Sequence, residues 1–288
     1  MKPLFKIQEL QEEFDKNGFV RVPLLTAAQV DELMLLYKTT ETEHKKIGLP
    51  FTTTSHSNDS DLIRKADTQI AGVFSPEMNK YLCDYKLLFG NFLIKQPGLN
   101  SVTPLHQDTS FVDEKKFSSI SIWVSLQDTD PENGCMRFIK GSHKFKHILR
   151  PTHDYSWPFE GIRDQLEKLL EDYPSQKGEA FIFHHGIIHA SYPNLTDMPR
   201  IAAVMAAYHD DAQLLMYFLD KDSSSSVQKY KMTKDAYLHF IKGEPPAIGE
   251  LIETEFFDYK QITPAEFGKM APHSRSFIQK VLAFLPVF

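Results

Sequence analysis

The chain has 288 residues, of which 42% are hydrophobic and 24% are charged, and it contains 22 Phe and 11 Tyr. These values are typical of a soluble globular protein with a sizeable core, and they argue against a disordered chain. The net charge of −6 comes without a basic run, which argues against nucleic acid as a partner. A small anionic cosubstrate would therefore need a dedicated Arg or Lys.

Cysteine usage and the first residues indicate the compartment. Cys83 and Cys135 are too few and too isolated for a disulfide framework or a zinc-thiolate site. The N-terminal residues lack an apolar signal core, and no apolar run approaches the roughly 18 residues of a membrane span. We therefore expect a cytoplasmic protein without membrane contact, and the sequence indicates no protein partner.

The chain begins with two predicted helices and a short strand. Apolar residues from Ile7 to Phe14 have helical spacing, and Phe19–Val22 is predicted to be a strand. A capping box formed by Thr26 and Gln29 then predicts the start of a second helix.

A polar stretch from Glu41 to Gln69 is predicted to be a long loop. Long loops in compact domains are often functional, so Phe51–Asp67 is a candidate substrate-facing segment, with a surface loop as the alternative. The sequence Ser75-Pro76-Glu77 has the chemistry of a helix start and predicts that the next helix begins there.

Turn-punctuated strands dominate the middle of the chain. The clearest is 119–127, where Ile120, Ile122 and Val124 alternate with polar residues and Trp123. The other predicted strands are 87–96, 135–139, 180–184, 187–192 and 200–209. This pattern predicts a mainly β fold with flanking helices, arranged as a sandwich or a jelly-roll barrel.

The remaining segments are predicted to be helical or irregular. An amphipathic helix is predicted between Ile162 and Tyr173, and further helices at 233–240, at 274–284 and from Thr263 onward. We find no internal repeat and no linker, so we expect one domain over 1–288. Its β core spans about 87–210, with helical support in 1–86 and an irregular or helical tail in 211–288.

His106 and Asp108 are separated by one residue, and on a strand two such side chains point to the same face. With one more histidine they can form the 2-His-1-carboxylate facial triad of non-haem Fe(II) enzymes. His209 and Asp211 have the same spacing, so the spacing alone does not choose between the two pairs.

The segment from His189 to Arg200 favours the first pair. His189 and Ser191 share a strand face, and a hairpin over the following turn would bring Arg200 roughly opposite Ser191. An imidazole, a hydroxyl and a guanidinium would then suit a dicarboxylate that chelates the metal at one end and pairs with the arginine at the other. No comparable arginine follows His209 within hairpin reach.

These residues resemble the phytanoyl-CoA dioxygenase family of Fe(II)- and 2-oxoglutarate-dependent oxygenases. The resemblance covers about residues 10 to 210, and the tail matches no family that we recognise. The motifs that carry it are Asn17-Gly18-Phe19-Val20, His106-Gln107-Asp108, the strand from Ile122 to Asp128, Asn133-Gly134-Cys135-Met136-Arg137 with Gly141-Ser142-His143, and the block from His189 to Arg200.

The resemblance implies a double-stranded β-helix (a jelly-roll, cupin-like barrel) with His106, Asp108 and His189 as iron ligands. Arg200 and Ser191 would bind the distal carboxylate of 2-oxoglutarate. The implied reaction consumes O2, releases succinate and CO2, and hydroxylates an unactivated carbon of a small organic molecule. Related halogenases replace the carboxylate ligand with a small residue, so Asp108 favours hydroxylation over halogenation. Desaturation, epoxidation and ring closure use the same ligands and remain open.

Other residues are weaker site candidates. Gln107 and Trp123 could contact the cosubstrate, although Trp123 could equally pack in the sheet. One of His184 and His185 is expected to support the metal ligands and the other to pack. The candidate substrate residues are Phe111, Arg137, Lys95 and Tyr208, with an acidic ion pair as the alternative role of Arg137.

Two other functions remain open. A cupin-like metalloenzyme that does not use 2-oxoglutarate, for example an isomerase, would have the same barrel. So would a non-catalytic barrel that binds a metal or a small molecule. The cupin-like alternative assigns no role to Arg200 and Ser191.

Overall fold

Two antiparallel sheets enclose the central cavity of the protein in the computed structural model, which describes residues 2–145, 148–152, 157–219, 226–240, 244–257 and 260–270. The helices are α1 (Gln8–Asn17), α2 (Ala27–Ile47), α3 (Ser60–Met78), α4 (Arg163–Glu167), α5 (Lys234–Leu238) and α6 (Pro264–Met270). The strands are β1 (Phe19–Pro23), β2 (Phe51–Thr53), β3 (Tyr85–Lys95), β4 (Thr103–His106), β5 (Ser119–Ser125), β6 (Met136–Phe138), β7 (Glu171–Tyr173), β8 (Glu179–His184), β9 (His189–Ser191), β10 (Arg200–His209), β11 (Leu215–Leu219), β12 (Ser226–Lys231) and β13 (Glu250–Phe256).

The larger sheet has the strand order β1-β8-β5-β10-β3-β2, and the smaller sheet has the order β4-β9-β6-β7. All strand pairs in both sheets are antiparallel. This arrangement confirms the predicted fold class, a double-stranded β-helix with flanking helices.

Alternation along the strands of the larger sheet separates two apolar layers. Ile122 and Val124 pack in one core with Ile70 and Phe74 of α3, on the helix-covered face. Trp123 points the other way, into a second core that includes Phe138 of the smaller sheet and Phe181. Residues two apart share a face of a strand, so the observed layers follow directly from the sequence pattern.

The predicted loop between 41 and 69 is wrong in large part. Helix α2 continues to Ile47, because the buried stripe of Tyr37, Thr40 and His44 extends its inner face. Helix α3 begins at Ser60, where the Asp59 side chain accepts hydrogen bonds from two backbone N–H groups. Many polar residues of this stretch are helix caps or lie on exposed helix faces, which composition alone does not distinguish from a loop.

The predicted helix start at Ser75-Pro76-Glu77 is also wrong, since Pro76 lies inside the last turn of α3. The helix continues past Val73 and Phe74 because both are packed in the core beneath it. Proline removes one backbone donor from a helix interior, and here tertiary packing outweighs that loss.

Two predictions for later segments also need correction. Only Arg163–Glu167 is α-helical between Ile162 and Tyr173, and Glu171–Tyr173 is a strand that pairs with β6. The tail contains an antiparallel sheet of β11, β12 and β13 where irregular or helical structure is predicted. The predicted helices at 233–240 and from Thr263 are confirmed as α5 and α6, whereas the one at 274–284 lies outside the described residues.

None of the helices within the described ranges combines the length and the apolar character that crossing a membrane requires.

Candidate metal centre and cosubstrate site

Three potential metal ligands meet where the smaller sheet ends. His106 closes β4 and His189 opens β9, and the two are register partners with ring centroids 4.2 Å apart. Asp108 Oδ1 lies 3.7 Å from His106 Nε2 and 3.8 Å from His189 Nε2. One ligand atom from each residue lies within 4.8 Å of the others, so the group can hold a metal ion.

Asp108 reaches this position from outside the strand. Strand β4 ends at His106, and the backbone N–H of Asp108 donates to the carbonyl of His185, 2.9 Å away. The spacing argument placed both side chains on one regular strand face. Instead, a backbone contact with the residues before β9 turns the carboxylate toward the imidazoles.

Backbone carbonyls set the tautomer of both histidines. His106 Nδ1 is 2.8 Å from the Pro104 carbonyl, and His189 Nδ1 is 3.1 Å from the Ile187 carbonyl. Because a carbonyl only accepts, each Nδ1 carries a proton, and Nε2 is the ring nitrogen that faces Asp108. This is the ligand form of imidazole, and outer contacts of this kind commonly orient metal-binding histidines.

Burial and the neighbouring charges keep these groups in metal-binding protonation states. Burial, with a further contribution from His106, lowers the pKa of His189 to about 4. Burial would raise the pKa of Asp108, but His189, His185, His106 and the Ser121 hydroxyl together lower it below its ordinary value. At neutral pH the site therefore offers a carboxylate and a neutral imidazole from His189.

A hydrogen-bond chain runs from Asp108 into the larger sheet. Ser121 Oγ donates to Asp108 Oδ2 over 3.3 Å and lies 3.0 Å from His185 Nε2. His185 Nδ1 is in turn 2.8 Å from Ser119 Oγ. His185 thus has the supporting position expected for one of the two adjacent histidines, whereas the ring of His184 packs 6.2 Å from that of Phe14.

A buried ion pair holds the backbone at Asp108. Arg150 Nε donates to the Asp108 carbonyl, and its Nη2 forms an ion pair with Glu114 in which both side chains are 3% exposed. A buried charge needs a partner to be tolerated, and Glu114 supplies it. No signal in the sequence distinguishes Arg150 from the other arginines.

Arg200, at the start of β10, is buried with Nε and Nη1 lacking a hydrogen-bond partner among the described residues. Its guanidinium carbon lies 5.4 Å from the centroid of the Trp123 ring. Burial lowers its pKa to about 10, which still leaves it cationic at neutral pH. Buried donors without partners are rare, so these two donor nitrogens indicate a place for an anion.

A cavity of about 280 Å³, hereafter the metal cavity, joins Arg200 to the three candidate ligands. Ser191 and Trp123 also line it, so three of the four residues expected at the cosubstrate share one space. Phe51, Thr53 and Ser55 line it as well, which gives the start of the predicted substrate-facing segment a place at the site.

The predicted route by which Arg200 approaches Ser191 is wrong. Strand β9 pairs with β4 and β6, whereas β10 pairs with β3 and β5 in the other sheet. The segment after Ser191 therefore crosses between sheets and does not form a hairpin. Arg200 faces Ser191 across the cavity because the two sheets pack face to face.

Four other predicted site residues do not line the metal cavity. The Gln107 side chain donates to the Gly186 carbonyl and accepts from Trp157. Arg137 pairs with Asp172 and Glu167, which is the alternative that the sequence left open.

Lys95 and Tyr208 are the other two. The Lys95 amine donates to the carbonyls of Ser101 and Tyr192, at 2.6 and 2.9 Å. Tyr208 packs in a third apolar core with Leu88. Phe111, by contrast, lines the cavity as expected of a substrate residue.

The sequence reasoning missed a row of residues on β3. Phe89, Asn91 and Leu93 lie two apart and all line the metal cavity. A buried asparagine in an otherwise apolar strand was the available signal, because buried polar side chains require a partner or a function.

A second group with potential metal ligands consists of His209, Asp210 and Asp211. Its members are consecutive in the chain, which by itself explains their proximity. Asp211 forms an ion pair with Lys2, and His209 Nδ1 lies 3.4 Å from Asp210. None of the three lines the metal cavity, consistent with the preference for the first pair.

Comparison with known proteins identifies a family match over most of the chain and curated relatives that align with about two fifths of it. The family model described as phytanoyl-CoA dioxygenase matches residues 14–202. Phytanoyl-CoA dioxygenase domain-containing protein 1 of Danio rerio is 31% identical over 122 residues, which are 40% of this chain and 42% of that protein. Phytanoyl-CoA dioxygenase of Arabidopsis thaliana is 31% identical over 124 residues, which are 42% of this chain and 43% of that protein.

Solved structures with the same fold include two proteins from nogalamycin biosynthesis. The non-heme alpha ketoglutarate dependent carbocyclase SnoK has a TM-score of 0.55 and 16% identity, covering 72% of this chain and 86% of its own. The epimerase SnoN was solved in complex with Fe3+, alpha ketoglutarate and nogalamycin RO. It has a TM-score of 0.55 and 20% identity, and the match covers 85% of this chain and 95% of the SnoN chain. At these identities the likeness concerns the fold.

The family match spans well over half of the chain and includes all three candidate metal ligands together with Ser191 and Arg200. The chain belongs to the phytanoyl-CoA dioxygenase family.

Proposed function

We propose that this protein is an Fe(II)- and 2-oxoglutarate-dependent dioxygenase that hydroxylates an unactivated carbon of a small organic substrate, releasing succinate and CO2. The observation that carries the proposal is the buried guanidinium of Arg200, whose Nε and Nη1 have no partner among the described residues, in the same cavity as His106, Asp108 and His189. A cupin-like enzyme without 2-oxoglutarate would leave that cation without a task.

The three ligand side chains fit iron by their chemistry. Two neutral imidazoles and one carboxylate form the donor set of the non-haem Fe(II) oxygenases, and their Nδ1 contacts leave each Nε2 available. Iron bound there would couple O2 activation to the oxidative decarboxylation of 2-oxoglutarate and so supply the oxidant that attacks a substrate C–H bond.

Arg200 and Ser191 position the cosubstrate in this proposal. The planar guanidinium matches the geometry of a carboxylate, and stacking on Trp123 restricts its orientation. Ser191 is 4% exposed and its hydroxyl makes no hydrogen bond to another described residue, so it can donate to the same carboxylate. The opposite end of the cosubstrate then faces the metal ligands.

Asp108 supports hydroxylation over halogenation, because the carboxylate keeps the position that chloride occupies in related halogenases. Among proteins of the same fold, SnoK is a carbocyclase and SnoN an epimerase. The proposal of hydroxylation therefore rests on Asp108 and on the family.

The test is succinate formation from 2-oxoglutarate in the presence of Fe(II) and O2, with each component omitted in turn. We expect succinate only in the complete mixture, and none with Asp108→Ala. Anaerobic binding of 2-oxoglutarate to the Mn(II)-loaded protein is the second measurement. If 2-oxoglutarate neither binds nor is consumed, the proposal is wrong and a metalloenzyme or sensor without this cosubstrate is favoured.

A further inference from the structure

A second cavity of about 240 Å³, hereafter the side cavity, adjoins the metal cavity. The two cavities share five lining residues, namely Ser55, Phe89, Asn91, Thr109 and Phe111. The side cavity is lined in addition by His56, Ile63, Thr152, Tyr237, Leu238 and Phe240. A molecule in the side cavity would therefore border directly on the metal cavity.

Aromatic rings form the walls of the side cavity. The ring centroids of Phe89 and Phe111 are 5.6 Å apart at 75°, and those of Phe111 and Tyr237 are 5.5 Å apart at 68°. The Tyr237 hydroxyl donates to the Leu215 carbonyl, so this tyrosine offers its ring to the cavity. Such walls favour a flat or apolar body, because edge-to-face and stacked contacts add to the burial of apolar surface.

Among the described residues that line the side cavity there is no Lys, Arg, Asp or Glu, and the basic side chain is that of His56. Placing a carboxylate or a phosphate there would cost free energy, because none of these described side chains carries a permanent opposite charge. Phosphates and carboxylates are therefore disfavoured, including the phosphates of a coenzyme A thioester.

Among the five described residues that line both cavities, Asn91 carries the side-chain amide. The residue is 6% exposed, it lines both cavities, and its side-chain amide makes no hydrogen bond within the described parts of the chain. Buried amides are normally paired, and this one offers both a donor and an acceptor. A hydroxyl or carbonyl group of a bound molecule would satisfy it.

We propose that the side cavity is the substrate site and that it selects an uncharged, ring-bearing compound whose hydroxyl or carbonyl group pairs with Asn91. This inference rests on the proposed function for the reaction that follows binding. Tyr237, Leu238 and Phe240 lie beyond residue 202, where the family match ends, so this wall of the site belongs to the part of the chain outside the match.

The experiment compares four probes of defined chemistry, 2-indanol, indane, indane-2-carboxylate and acetyl-CoA. Their dissociation constants are measured by ligand-observed NMR under nitrogen, on the protein with and without Mn(II) and 2-oxoglutarate. We expect 2-indanol to bind most tightly, and loss of its hydrogen bond in Asn91→Leu to weaken it about 5- to 100-fold. Binding of indane should not weaken in that variant.

Two further variants distinguish the contribution of the aromatic rings to binding from that of the Asn91 hydrogen bond. Phe240→Ala should weaken 2-indanol and indane together, because it removes ring contact and not the hydrogen bond. Asn100→Leu, at an exposed position outside both cavities, is the matched control and should change neither. Thermal unfolding verifies that each variant is folded, and Asn91→Ser provides a second substitution if Asn91→Leu is not.

Several outcomes overturn the inference. It fails if indane-2-carboxylate or acetyl-CoA binds more tightly than 2-indanol. It fails if Asn91→Leu and Asn91→Ser leave the preference for 2-indanol over indane intact. It also fails if no ring compound binds to the protein either with or without Mn(II) and 2-oxoglutarate. Binding of 2-oxoglutarate to the Mn(II)-loaded protein is measured in the same samples. If 2-oxoglutarate binds and the ring compounds do not, the substrate inference fails while the proposed function stands. If the ring compounds bind and 2-oxoglutarate does not, the proposed function fails while the binding preference of the side cavity stands.

Discussion

Arg200 and Lys95 are register partners on β10 and β3, so two basic residues lie side by side in the core. They differ in how their donors are used. The Lys95 amine donates to two backbone carbonyls, whereas Nε and Nη1 of Arg200 have no hydrogen-bond partner in the described ranges. The arginine is therefore the cation available to an anionic cosubstrate. The lysine instead links backbone carbonyls within the fold.

Replacing Arg200 is expected to weaken cosubstrate binding. Hydrogen bonds to charged groups contribute about 1.5–3 kcal/mol, so Arg200→Met should lower the affinity for 2-oxoglutarate roughly 10- to 100-fold. Anaerobic titration calorimetry on the Mn(II)-loaded protein measures this. Arg21→Met, at an exposed position on β1, is the control. Equal affinity in Arg200→Met and the wild type would contradict the assigned role.

Lys95 is expected to make stability depend on pH. Burial, and secondarily Arg200, lowers its pKa from 10.5 to about 6. Between these values the unfolded chain binds a proton at this lysine that the folded protein does not, so the free energy of unfolding should rise with pH. The slope approaches about 1.4 kcal/mol per pH unit, and the contribution becomes constant below pH 6, where both states are protonated.

Urea unfolding at pH values from 6 to 9 measures this dependence in the wild type and in Lys95→Met. The difference between the two proteins should grow with pH in the direction that favours the wild type. Lys38→Met, at an exposed position of α2, should run parallel to the wild type. Parallel profiles for Lys95→Met would mean that Lys95 stays protonated in the core.

The Ser121 hydroxyl is expected to support the metal through Asp108. Ser121→Ala removes the donor to Asp108 Oδ2 and interrupts the contact with His185. Loss of an outer contact to a metal ligand typically costs 10- to 100-fold in metal affinity, and we expect a Mn(II) affinity about tenfold lower. Ser125→Ala is the matched control, since Ser125 is buried on the same strand face and its hydroxyl has no partner among the described residues. Equal losses in the two variants would exclude a specific role for Ser121.

Arg150 and Glu114 should contribute separately to stability and to the site. Arg150→Met removes the cation from a buried ion pair and leaves the negative charge of Glu114 in the core, which should cost about 3–5 kcal/mol in the free energy of unfolding. The double variant Arg150→Met/Glu114→Leu should recover most of that loss. Because Arg150 Nε also donates to the Asp108 carbonyl, Mn(II) affinity should stay reduced in both variants. Full recovery of metal affinity in the double variant would show that Arg150 does not position Asp108.

Local patterns in the sequence determined the central strands and the chemistry of the metal centre. The alternation from 119 to 127 predicted β5 and the faces of its residues, because the period of a strand is fixed by its backbone. The two-residue spacing in His106-Gln107-Asp108 and the histidine at 189 predicted a ligand set that the structure brings within reach of one ion. Capping residues likewise predicted the start of α2.

The tertiary structure determined which residues face each other across the cavities. Arg200 and Ser191 share a cavity through the packing of two sheets, and a hairpin inferred from chain order does not describe that relation. Polarity was a poor guide between 41 and 69, because helix caps and exposed helix faces have the composition of loops. The wall formed by Tyr237 and Phe240 beside Asn91 depends on contacts between residues almost 150 positions apart in the chain, and no local pattern encodes such contacts.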